Sequence, residues 1–105
     1  MRHAQFHIAD IQLGTRSLPL HYGTLQVVDR EGTIDWELVL HTIDPEPVAQ
    51  AIHLLAFRSI TGVEESGALT LTPMHGEAAL VRWVDNSLVF RGAGLLDGFN
   101  ESQFG

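Results

Sequence analysis

The chain contains no cysteine. Disulfides, thiolate metal sites and cysteine nucleophiles are therefore excluded together. It contains no lysine either, because all its basic side chains are arginine: Arg2, Arg16, Arg30, Arg58, Arg82 and Arg91. Neither a Schiff base nor a phosphate-loop lysine is available. Long apolar runs are also missing; nothing approaches the roughly 18 consecutive apolar residues of a membrane-spanning helix. The opening residues, Met1 to His7, alternate in polarity and do not read as a signal peptide. A cytoplasmic location with no membrane partner is the expectation. Positive charge is scarce as well. Thirteen acids face six arginines, giving a net charge of −7. Such a surface repels nucleic acid on average, and the arginines form no cluster in the sequence.

What remains is 105 residues, 45% of them hydrophobic, with a mean hydropathy of +0.09. That length fits one domain spanning 1–105, able to bury roughly two-thirds of its unfolded surface. The clearest local pattern runs from Ile34 to Ile43. Ile34, Trp36, Leu38 and Leu40 fall on one face, with Asp35, Glu37 and His41 on the other. This period-two alternation predicts a half-buried strand. Asp29 to Thr33 has turn chemistry, and Leu18 to Val28 reads as the partner strand of a hairpin. In residues 3–13, Ala4, Phe6 and Ile8 share a face before Ile11 and Leu13 switch sides, which predicts a bulge near Ala9-Asp10. Gly14 to Ser17 reads as a connector.

Asp44-Pro45-Glu46-Pro47 carries helix-start chemistry: a capping aspartate, a proline at the first turn and an acid. With Val48, Ile52 and Leu55 at helical spacing, it predicts one short helix near residues 45–54. Residues 53–60 also alternate acceptably as a strand. Thr61 to Gly67 reads as a loop. Pro73 limits the strand carrying Leu69 and Leu71 to an edge, or ends it. His75-Gly76 reads as a turn, and the nearly all-apolar stretch Ala78 to Val84 as a strand covered on both faces. Asp85-Asn86 fits a two-residue hairpin turn before Ser87 to Arg91. The sum is mostly β: a small antiparallel β-barrel or sandwich of six to seven strands with one short helix.

No catalytic, cofactor-binding or metal-binding residue is assigned, and no cofactor is expected. Gly92-Ala93-Gly94-Leu95-Leu96-Asp97-Gly98 imitates a dinucleotide fingerprint, but its last glycine falls one residue late and no helix is predicted after it. Paired glycines there fit close backbone approach better. On one strand, His3 and His7 would lie about 13 Å apart, too far to share a metal ion. None of the serines sits in a nucleophile elbow. Three functional readings remain. The first is a non-catalytic interaction or assembly module, a homo-oligomer or a partner of another protein. It rests on apolar residues left on outward faces, such as Val39 and Ile43, and on the tail residues Leu95, Leu96, Phe99 and Phe104 as the expected contact. The second is a small-ligand barrel whose cavity Tyr22, Trp36 and Trp83 would line. The third is an enzyme pairing His41 with Asp35 or Glu37.

Overall fold

The computed structural model describes residues 1–43 and 47–104. Seven strands follow one another: β1 (Arg2–Leu13), β2 (Arg16–Leu18), β3 (Leu20–Arg30), β4 (Thr33–Thr42), β5 (Ile52–Val63), β6 (Leu69–Val84) and β7 (Ser87–Gly92). A single 3-10 turn, Glu101–Gln103, lies in the tail. The order around the sheet is β1-β3-β4-β7-β6-β5, and β5 pairs back onto β1, so six antiparallel strands close a barrel. The remaining strand, β2, folds against the C-terminal part of β1, where Gln12 faces Ser17. No helix among the described residues is long and apolar enough to cross a membrane.

Two three-stranded meanders make up the barrel, β1-β3-β4 and β5-β6-β7. Their first strands meet at one seam, where Ile11 pairs with Phe57, and their last strands at the other, where Leu38 pairs with Phe90. Two hairpin turns use positive φ, which Gly32 and Asp85 favour by residue type and Glu31 does not. Glu31 and Gly32 take φ of 54° and 90° between β3 and β4, and Asp85 takes 53° between β6 and β7. The register of β1 against β5 shifts between Ile8 and Asp10, which is the expected bulge. It keeps Ala4, Ile8, Ile11 and Leu13 all buried. Inward side chains fill the barrel, with Leu25, Val27, Leu38, Leu40, Leu55 and Phe90 fully buried at its centre.

Several local expectations are overturned, among them Thr61–Val63, which completes β5 and does not begin a loop. The helix near 45–54 does not form: residues 47–51 are irregular and β5 begins at Ile52. Asp44, Pro45 and Glu46, the supposed helix start, lie outside the described residues. Ile52, His53 and Leu54 pair instead with Ala79, Ala78 and Glu77 of β6, and that pairing outweighs local helix signals. His75-Gly76 is not a turn but the middle of β6, where Gly76 makes room for the Trp36 ring. Gly14–Ser17 is not wholly a connector, because Arg16 already belongs to β2. Pro73 lies within β6, in the part that pairs with β5 but lies beyond the β7 ladder, so its missing N–H breaks no rung there.

Candidate interaction surface

The three aromatics that would line an interior cavity are dispersed. Trp36 is buried at the barrel end that receives the tail, its indole N–H donating to the Gly94 carbonyl at 2.9 Å. A Cβ on Gly92 would lie 2.3–2.6 Å from that indole, so the glycine is there for close approach. Tyr22 is on the outer surface, stacked on His41 with ring centroids 4.1 Å apart. Trp83 stands beside the β6–β7 turn and donates to the Asp85 carbonyl at 2.9 Å.

Two open depressions mark the outer wall. One, of about 430 Å³, is lined by Trp36, alone of the three aromatics, with Gly92, Gln26, Val28, Arg30, Asp35, Glu37 and Arg91. Its charges already face one another, Arg30 with Asp35 at 3.8 Å and Arg91 with Glu37 at 3.7 Å. Such exposed, long pairs contribute little. The other, of about 500 Å³, lies over β1, β2, β5 and β6. There Asp10 turns outward and accepts from the Arg58 guanidinium, with Nε 3.2 Å from Oδ1 and 2.9 Å from Oδ2. The Arg58 hydrogen bonds hold the Asp10 carboxyl below its ordinary range.

His41 meets neither Asp35 nor Glu37. Its Nδ1 lies 2.9 Å from Ser87 Oγ, while the two acids face Arg30 and Arg91. A different histidine–carboxylate pair does form: His75 Nε2 is 3.2 Å from Asp97 Oδ2. Both side chains are more than half exposed, and no hydroxyl is hydrogen-bonded to His75 among the described residues. That pairing is invisible in the sequence, because Asp97 reaches His75 through an isolated bridge from the tail. His3 and His7 are both exposed along β1, and no group of three or more His, Asp or Glu side chains among the described residues converges as a metal site.

The tail folds back over its own barrel. Leu96 is buried, Phe99 meets Phe6 edge-on at 6.4 Å, and Phe104 meets Phe99 at 5.0 Å. Arg2 covers the Phe104 ring at 4.6 Å. Leu95 alone of the four tail residues named above is strongly exposed, at 84%.

A group of outward apolar side chains lies elsewhere, on adjoining strands of the barrel wall. Ile52 and Leu54 on β5 are 61% and 57% exposed, and Val81 on β6 is 50% exposed. Ile52 pairs across to Ala79, and Val89 of β7 lies between Arg82 and Val39. Ala79, Val89 and Val39 are half-buried and continue the apolar surface. A shift of register between Leu80 and Arg82 creates the centre of this patch. It holds Leu80 and Phe90 inside while Val81 and Arg82 both lie outside. The stretch Ala78 to Val84, expected to be covered on both faces, is covered on one face only within this chain: Ala78 and Leu80 are buried, and Val81 and Val84 are exposed. Ile43, also outward in the sequence pattern, is 60% exposed at the end of β4.

A second apolar strip runs along the β5–β6 hairpin. Ile60 pairs with Leu71 and Val63 with Leu69, beyond the part of β5 that β1 covers. No protein-family model, curated protein or solved structure matches this chain.

Proposed function

We propose that this chain is a non-catalytic interaction and assembly module that associates with itself. One observation carries the reading: Ile52, Leu54 and Val81 are exposed together on a wall whose sequence has the apolar density of a two-sided strand. Small single domains scatter apolar residues over their surface, but a contiguous patch calls for a covering surface. The barrel interior is occupied by side chains, which leaves the outer wall as the place for recognition. A protein partner fits this wall better than a charged ligand, since its apolar centre is ringed by Arg82, Glu77 and the Arg91–Glu37 pair. A cytoplasmic site of action accompanies the proposal, in keeping with a chain free of cysteine.

Sedimentation velocity at micromolar concentration tests it. The expected result is a species heavier than the 11.6 kDa chain, dissociating on dilution. A clean monomer across the whole range overturns the proposal.

A further inference from the structure

Resting on the self-association reading, we infer that the outer wall of β6 is the contact, and that a second copy binds across a two-fold axis running at right angles to that strand. The outward side chains of β6 over this stretch are Glu77, Ala79, Val81 with Arg82, and Val84. An acid lies at one end of the apolar stretch and an arginine at the other. Neither Glu77 nor Arg82 has a side-chain hydrogen bond or ion pair among the described residues, although other acids and arginines around the barrel face one another. Because Val81 is the extra residue of the bulge, Arg82 and Glu77 each lie two rungs from Ala79, and a two-fold axis crossing β6 at Ala79 sets Glu77 of each copy opposite Arg82 of the other. It also lays the apolar centres of the two walls on each other. An isologous contact needs this self-complementarity, and a parallel axis along the strand would set like charges together.

The neighbouring strands accommodate the same axis. Ile52 flanks Ala79 and adds apolar area on the β5 side. On the other side Arg91 flanks Ala79, close to the axis, and already faces Glu37 at 3.7 Å. The two-fold therefore brings together two neutral pairs, not two bare cations. Face-to-face sheets lie about 10 Å apart, a gap that a glutamate and an arginine side chain span together.

Charge reversal at both positions tests the contact. Glu77→Arg makes a chain with two arginines at the contact, and Arg82→Glu makes one with two glutamates. Each variant alone is expected to dimerise about 30-fold or more weakly, because two like-charge pairs replace two opposite ones. Mixed in equal amounts, they are expected to form a heterodimer, and the double variant Glu77→Arg/Arg82→Glu is expected to regain the parental dissociation constant. Recovery on mixing requires both variants to be folded, so a folding defect cannot imitate the result. A dimer indifferent to both reversals overturns this contact and leaves self-association standing, with the Ile60–Leu69 strip as the surface to examine. A monomeric parent chain overturns both.

Discussion

The two ends of the barrel are closed by different means. At one end the tail crosses over Trp36, and large rings do the filling: Trp36 against Gly76 and Gly92, Phe99 against Phe6, and Phe104 against Phe99. At the other end the connector between β4 and β5 supplies, among the described residues, one modest buried side chain, Val48. Backbone hydrogen bonds do most of the work there. The Leu80 N–H donates to the Ala51 carbonyl at 3.1 Å, Gly14 N–H to Leu54 at 2.8 Å, and Ile43 N–H to Pro19 at 3.0 Å. An end sealed by rings depends on shape and is sensitive to side-chain substitution. An end sealed by backbone bonds depends on chain path and tolerates side-chain change better.

The sharpest way to break this contrast is Trp36→Ala, which removes the ring that the tail covers. We expect a loss of about 3–5 kcal/mol in urea unfolding, a large share of the stability of a domain this size. Next is Gly92→Ala. Its new methyl would overlap the indole, and overpacking of this kind costs about 1–3 kcal/mol by the same measurement. At the opposite end, Val48→Ala removes two methyl groups' worth of burial and should cost about 1.5 kcal/mol. If Val48→Ala proved as damaging as Trp36→Ala, the difference between the ends would disappear.

The smallest effect sharpens the tail end through pH. Asp29 accepts from Arg2 at 2.6 Å and from the Gly32 N–H at 2.8 Å. The Arg2 hydrogen bond first, then the Gly32 N–H, hold its carboxyl below the ordinary range. A carboxyl depressed on folding contributes stability above its unfolded pKa, about 3.9, and loses it as pH falls through the lower folded value. Urea midpoints of the parent and of Asp29→Asn should therefore differ most at neutral pH and converge below about pH 4. A gap that stays constant down to pH 3 would remove Asp29 as the source.

Much of the fold could be read locally because the deciding interactions are local. Gly32 and Asp85 take positive φ in the two hairpin turns, and their residue types advertise it, whereas the positive φ of Glu31 does not show in its residue type. The bulge beside Asp10 shows as a change of hydrophobic phase along β1. What could not be read was set by distant residues. Pro45, Val48 and Ile52 satisfy helix rules as they stand, yet β6 captures the chain from Ile52 onward as a strand. Gly76 looks like a turn until the Trp36 ring is known to lie against it. Beside the proposed contact, Val39 was legible as an outward apolar residue. Val81 was not, since only the register shift opposite β7 turns it to the surface. Asp97 likewise gains its place beside His75 from the path of the tail.

The two seams have a kinetic consequence. Short connections join β3 to β4, β5 to β6 and β6 to β7, which can zip from their hairpins, whereas β2 intervenes between β1 and β3. Sealing β1 to β5 and β4 to β7 joins residues roughly half the chain apart, so loop entropy is lost before any seam contact returns it. Folding of such a cylinder belongs to the millisecond-to-second range typical of non-local β topologies. Until both seams close, the strand margins at Ile8–Leu13 and Glu37–His41 stay open to wrong neighbours. The slow step of folding and the period of greatest exposure to aggregation are thus the same event.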